Sequence, residues 1–495
     1  MKNIPHPIII LSIVIVLAAA ATWLVPAGVY DKLMYDGGDT FRLVQQEKQI
    51  SLPFTESTLD SLRIPAELKS FKQGEAGKTL SVPGTFHRLP QQGQGVLAVL
   101  QAPLKGFYET VQIALFLLLI GGFINVFYAT GAMEKGLASL ADKMKGHEGC
   151  LIIVLTFLFA FGGASFGMAE EGLAFYPILV PLFLAARYDL LVPVAVIFGG
   201  TQLGMATAFS SPFSTIIASG AVGVDWTDGM YPRIALLLLA AAFYIVYVGR
   251  YASKVRKNPA ASLVLRYEGE VTSMYQSISG EKSSLSGRHT LLLALFLGTF
   301  LLMVVGVVFF RWWLVDMSAV FLVATILVGL IAKMNGKEFL ERFIKGAEGM
   351  VVVTFIIAAA RGVGVLLESG SISDSLVHYP AQVIGYMPPA LFVLLLMLFF
   401  MVLTFFIPST SGIAVVTMPI IGSMAGMAGV PGKEVVNAYL FGMGMAGYII
   451  PTGLVLPSLS MVGIGLRTWW QFIKPVLLFL FVLCSLFLVA GVYLS

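Results

Sequence analysis

Charge is what this sequence has least of. Only 12% of its 495 residues are charged and 58% are hydrophobic, where an ordinary soluble domain carries about 25% charged residues. That shortage excludes a soluble globular protein with a conventional polar surface. Cysteine is nearly missing too. Cys150 and Cys484 lie at or within apolar segments far apart in the chain, so no disulfide framework is implied. The five histidines, His6, His87, His147, His289 and His378, fall in loops or at the ends of apolar runs, without the spacing a metal site needs. There is no phosphate-binding loop, Ser-His-Asp arrangement or zinc-protease motif, so ATP-driven and enzymatic functions have no residues to rest on and no cofactor is expected. The net charge of +4 gives no basis for a nucleic-acid partner.

What is abundant is apolar length. Mean hydropathy is +0.88. Runs such as LLLALFLGTFLLMVVGVVFF (291–310) and PVLLFLFVLCSLFLVAGVYL (475–494) hold no charge. About 20 residues at 1.5 Å each cross a hydrocarbon core of about 30 Å. The chain is therefore expected to be an all-α polytopic protein of the lipid bilayer. After MKNIPHP the first apolar run is about 18 residues, longer than the 7–15 of a secretory leader, and reads as a first spanning helix. Spans are expected near 7–29, 108–130, 191–224, 232–250, 290–310, 316–333, 349–368, 434–466 and 471–494. Two further apolar pairs, 150–186 and 388–428, each carry a polar break between two arms and read as hairpins.

Basic residues orient this layout. The segments 249–290 and 333–346 are rich in Lys and Arg, while 224–231 and 368–380 are acidic or nearly neutral. Short loops with a basic excess stay in the cytoplasm, which puts the N-terminus inside and the C-terminus outside a bacterial cytoplasmic membrane. The expected organisation is a first helix (1–30), an extracytoplasmic insertion (31–106) that is either a small cap or a loose loop, a first repeat (107–250), a cytoplasmic linker (251–289), connecting helices (290–333) and a second repeat (334–495).

The repeat shows as an echo. An offset of 242 residues carries Pro177 onto Pro419, Gly200 onto Gly442 and the segment 208–223 onto 450–465. The order span, broken hairpin, interrupted long span, span occurs twice, with an odd number of spans between equivalents. Inverted repeats with Gly- or Pro-interrupted segments at matching places mark secondary transporters, and the interruptions point to the binding site. The physical reason is that an interrupted helix in lipid leaves N–H and C=O groups without partners, tolerable only in a protein interior or beside a wet cavity.

Four interruptions stand out: GGASFGMAEEG (162–172), FSSPFST (209–215), IPSTSG (407–412) and IIPTGLVLPS (449–458). The first and third read as tips of re-entrant hairpins, the second and fourth as breaks in long helices, and all four are expected to meet near the bilayer midplane. The candidate substrate-binding residues are Ser165, Ser210, Ser211, Ser409, Thr410, Ser411, Gly412, Thr452, Gly453 and Arg361. Small and hydroxylated residues in membrane helices also serve close packing. Glu170 and Glu171 are expensive at membrane depth. Adjacent residues differ by about 100° around a helix, so at least one is expected to face the interior. They are open to three roles: holding a coupling cation, taking up protons, or meeting a cationic substrate group. Arg361 is open to pairing with a glutamate or a substrate carboxylate.

The stretches GGASFGMAEEGLAFYPILVPL, FSSPFSTIIASGAVG, IPSTSGIAVVTMPIIGSMAGMAGV and YIIPTGLVLPSL, with VPAGVYD (25–31) and VPGTFHRLP (82–90), resemble the YfcC-type carriers. These are related to the anaerobic four-carbon dicarboxylate carriers and the basic amino-acid antiporters of the ion transporter superfamily. The resemblance implies an elevator architecture, with a transport domain of hairpins and broken helices and a scaffold that forms a homodimer. The chain departs from the pattern at Ser211-Pro212, where relatives commonly have Asn-Pro, and in FGMGMAGY, where Met443, Ala446 and Gly447 replace an acid and other polar residues. The expected function is secondary active transport of a small amino acid or carboxylate, with H⁺ or Na⁺ as coupling ion. A channel and a transporter-like receptor are the alternatives.

Overall fold

The computed structural model describes residues 7–494 apart from 36, 46–47, 74–78, 134, 137–138, 140–147, 265–285, 311 and 385–386. Most of the expected linker (251–289) thus lies outside the described residues, as does most of MEKGLASLADKMKG (133–146), a further Lys-bearing stretch expected on the cytoplasmic side.

Among the described residues six helices are long and apolar enough to cross a membrane: Val111–Tyr128, Met230–Lys257, Leu314–Ala332, Gly336–Ser369, Pro389–Phe406 and Leu466–Leu494. Large apolar side chains such as Leu301, Leu478 and Leu486 stay exposed on the outer faces, as suits a surface solvated by lipid tails.

The helices group into two bundles. The first is built on α1 (Pro7–Leu24), α4 (Val96–Glu109), α5 (Val111–Tyr128), α11 (Gly287–Phe310), α12 (Leu314–Ala332) and α13 (Gly336–Ser369). Here α13 packs along both α4 and α5, α1 covers α13, and α12 bridges α5 to α11. The α5–α13 crossing is close because Gly121 meets Gly346: a Cβ on either would stand 2.5 or 2.1 Å from the other's carbonyl oxygen. Small residues at such crossings are how membrane helices gain dispersion contact where lipid offers no hydrophobic drive.

The second bundle holds α6 (Glu148–Ser165), α7 (Tyr176–Ala185), α10 (Met230–Lys257), α15 (Pro389–Phe406), α16 (Thr410–Met427), α17 (Gly432–Gly447), α18 (Val455–Ser460) and α19 (Leu466–Leu494). Between α7 and α10 run α8 (Leu191–Ala206) and α9 (Pro212–Val222). The offset of the echo takes α6 onto α15 and α8 onto α17. Within each half the two pack side by side, α6 on α8 and α15 on α17, and α8 crosses α17. α8 widens into a π turn over Ala195–Gly199. The carbonyls of Ala195 and Gly199 accept from the buried hydroxyls of Tyr244 and Tyr448, both at 2.8 Å.

The insertion corrects the all-α expectation. A four-stranded antiparallel sheet runs in the order β4-β3-β2-β5, with β2 Lys32–Met34, β3 Thr40–Gln45, β4 Lys48–Pro53 and β5 Thr79–Ser81, beside a two-stranded pair of β1 (Gly28–Val29) and β6 (His87–Arg88). Alternation explains it: in TFRLVQ, Phe41 and Leu43 turn inward while their neighbours Thr40 and Arg42 face out, the period of a half-buried strand. Leu33 pairs with Leu43 on one side and Leu80 on the other, all buried. Short helices α2 (Glu56–Ser61) and α3 (Leu68–Gln73) complete the cap, with Phe41 edge-on to Phe71 at 5.0 Å between ring centres. The insertion's far boundary also shifts: α4 begins at Val96, inside the range assigned to it.

Two other loops prove helical. α13 starts at Gly336 and runs unbroken through the basic segment 333–346, capped by Asn335 Oδ1 accepting from Glu338 N at 2.8 Å. The outer loop 368–380 contains the start of α14 (Ser375–Ile384).

Candidate functional site

Each of the four interruptions is a place where the backbone leaves the helix. After α6, Gly167 adopts φ +76°, a left-handed turn that favours glycine. The chain re-enters as a 3₁₀ turn over Glu170–Phe175. After α8 the chain turns at Thr207, bends at Phe209 and Ser210 and is extended at Ser211 before Pro212 opens α9. After α15 it breaks at Ile407 and restarts at Thr410, with Ser409 Oγ accepting from Gly412 N at 3.1 Å. After α17 it breaks until Val455.

The freed polar groups of one break satisfy those of its partner. Phe209 N and Ser210 N donate to Ala164 O at 3.0 and 3.3 Å, and Ser210 Oγ donates to Ser165 O at 3.0 Å. In the second repeat Thr452 Oγ1 donates to Phe405 O at 3.3 Å. The same offset that aligns the repeats carries Ser210 onto Thr452, so the two hydroxyls do equivalent work at equivalent places. Buried backbone groups must be paired, and here the hairpin and the broken helix of each half pair with one another.

All four breaks line one cavity of about 430 Å³. Of the residues singled out from sequence, Ser211, Ser409, Thr410, Ser411, Thr452, Gly453, Arg361, Glu170 and Glu171 are in its wall. Three are not. Ser165 Oγ turns back to Phe161 O at 2.6 Å, Ser210 is used in the bridge just described, and the Gly412 N–H is spent on Ser409.

The two glutamates both reach the cavity. Glu171 is 7% exposed, and its Oε2 accepts from Ala169 N at 2.9 Å, so one carboxylate oxygen holds its own turn together. Arg361 comes from α13 in the first bundle, is about 30% exposed and is ion-paired with Glu109 of α4, which also lines the cavity. Its Nη2 stands 3.7 Å from Glu368. The lining arginine of the first bundle is thus already paired within that bundle, whereas among the described residues no ion pair is made by Glu170 or Glu171. Trp313 and Phe213 close the cavity with their rings 4.9 Å apart.

Sequence reasoning passed over Glu109 and Gln202. Glu109 pairs with a residue 252 positions away, which no local pattern reveals. Gln202 did carry a signal, as a long polar side chain in the apolar run LVPVAVIFGGTQLGMA (191–206). Among the described residues no three His, Cys, Asp or Glu side chains cluster as a metal site.

A family model for the C4-dicarboxylate anaerobic carriers matches residues 4–493. An uncharacterized protein of Haemophilus influenzae is 36% identical over 494 residues, covering 99% of this chain and 97% of its own. A putative basic amino acid antiporter, YfcC of Escherichia coli, is 27% identical over 98% of this chain and 96% of its own. Among solved structures, Neisseria gonorrhoeae MtrF, described as illuminating a class of antimetabolite efflux pumps, aligns over 99% of this chain and 96% of its own at 14% identity and a TM-score of 0.41. The Alcanivorax borkumensis YdaH transporter covers 99% of both chains at 13% identity and a TM-score of 0.40.

Proposed function

The chain belongs to the C4-dicarboxylate anaerobic carrier family and is an integral membrane transporter, not an enzyme; from that premise we propose that it is a secondary active carrier of a small amino acid or carboxylate, working by elevator movement of the second bundle against the first. One observation carries the reading: four interruptions from two repeats, with two glutamates among them, line a single cavity faced by Arg361 of the other bundle. Helix breaks survive at membrane depth where protein buries them or a wet cavity adjoins them, and in secondary transporters paired breaks mark the binding site.

The charges favour a substrate with a positive group. Arg361 is already engaged by Glu109 and Glu368, while Glu170 and Glu171 await a cation, a proton or an ammonium. The name of the Escherichia coli relative agrees with that preference, and the family description names dicarboxylates instead. Purified protein in liposomes loaded with L-lysine, L-aspartate or succinate separates the classes. We expect saturable uptake accelerated by the same compound inside, strongest for an amine-bearing one. Flux linear in concentration, without counterflow, would mean a channel.

A further inference from the structure

Gln202 is 5% exposed and lines the cavity, yet among the described residues its carboxamide makes no hydrogen bond. Its neighbours on α8 are all provided for: Thr201 Oγ1 donates to Ile197 O at 2.7 Å and Thr207 Oγ1 to Leu203 O at 2.9 Å. A polar side chain in a protein interior needs partners, and this amide, facing the cavity, can take them only from what fills it. The space it occupies is kept open by Gly447 at the end of α17, where a Cβ would fall 1.8 Å from Gln202 Nε2. The amide is therefore wedged where the two repeats cross.

We propose that Gln202 is a substrate-contacting residue that recognises the head of an α-amino acid. A carboxamide presents N–H donors and an acceptor carbonyl side by side. An α-amino acid offers the complementary pair, a carboxylate beside an ammonium. A dicarboxylate end offers acceptors only and leaves the Gln202 carbonyl unpaired. The inference rests on the transport reading above and narrows it to one chemical head group.

The test is binding of L-lysine, L-aspartate and succinate to the purified full chain, by calorimetry and by thermal shift, for the parent, Gln202→Leu and Gly447→Ala. Leu keeps the bulk and removes both hydrogen-bonding faces. The expected result is binding of an amino acid by the parent and a loss of about tenfold or more in Gln202→Leu, the scale of a hydrogen bond to a charged group. The empty Leu variant should melt no lower than the parent, since no protein partner is lost. Gly447→Ala, which displaces the amide without deleting it, should weaken binding in the same direction, and it serves if the Leu variant fails to fold. Unchanged amino-acid affinity in the folded variants overturns the role of Gln202. Parental binding of succinate and of neither amino acid overturns the head-group assignment. No parental binding of any probe overturns the transport reading itself, before any variant is considered.

Discussion

At the scale of single residues, the proposed transport cycle assigns its coupling to Glu170 and Glu171. Their spacing on a regular helix would turn one away from the site. They sit instead at the broken entry to the turn Glu170–Phe175, and both line the cavity, so both should matter. Glutamine keeps the size of either side chain and removes its charge, and at Glu171 its amide oxygen can still accept from Ala169 N. We expect Glu170→Gln and Glu171→Gln each to lose at least about tenfold of gradient-driven uptake, the effect of removing one charge-assisted contact of about 1.5–3 kcal/mol. Exchange of substrate for substrate, which need not move the coupling ion, should survive better. Uptake and counterflow in proteoliposomes under imposed H⁺ or Na⁺ gradients measure both. Parental behaviour of both variants under every gradient would make the acids structural.

At the scale of elements, a proline sets up a link between the bundles. Pro181 lies inside α7 and has no N–H to give the carbonyl of Pro177, four residues earlier. That carbonyl accepts instead from Tyr128 Oη at 2.8 Å, and Tyr128 belongs to α5 of the other bundle. A sliding movement of one bundle past the other has to break this bond. Tyr128→Phe removes the donor, and Pro181→Ala restores a competing N–H within α7. Each should destabilise the conformation described here by about 0.5–1.5 kcal/mol and so speed substrate exchange by about twofold to tenfold. Stopped-flow exchange rates equal to the parent in both variants would show that the bond does not hold this state.

The same elements show what could be read in advance. The four breaks were legible because glycine, proline and hydroxylated residues in an apolar run have a backbone cost wherever they fall. Their convergence was legible through the offset that maps Ser210 onto Thr452. The Glu109–Arg361 pair was not, since its partners meet only once α13 lies along α4. Nor was the role of Ser165 and Ser210, which look like ligands in sequence but whose hydroxyls serve backbone carbonyls, Ser165 that of Phe161 and Ser210 that of Ser165. The strands of the cap went unread because TFRLVQ alternates over too few residues to announce itself.

At the scale of the whole molecule the open matter is direction. The last turn of α10 carries Lys254, Arg256 and Lys257, and a basic end of this kind stays cytoplasmic. With Cys150 and Cys484 removed, a cysteine at Gly432 should react with an impermeant maleimide added outside intact cells, and one at Lys254 should react only after permeabilisation. The opposite pattern would invert the orientation expected from the basic residues.

The cap is attached unequally. Toward α14 it is tied down: Gly28 N donates to Ser371 O at 2.8 Å, Tyr30 N to Asp374 Oδ2 at 2.9 Å, Lys32 pairs with Asp374, and the Phe86 ring stacks on His378 at 3.8 Å. Toward the second bundle it only rests, with Pro65 O against Gly223 and β5 along α16, and among the described residues no hydrogen bond crosses that line. Tied on one edge and resting on the other, the cap makes a bearing of its seat on α9 and α16. Contacts of shape can be exchanged for others of the same kind as one surface glides over another, so friction there carries little activation enthalpy. In the proposed elevator movement the temperature dependence of turnover is then set at the other end of the seam, where the directional Tyr128–Pro177 bond breaks at each stroke.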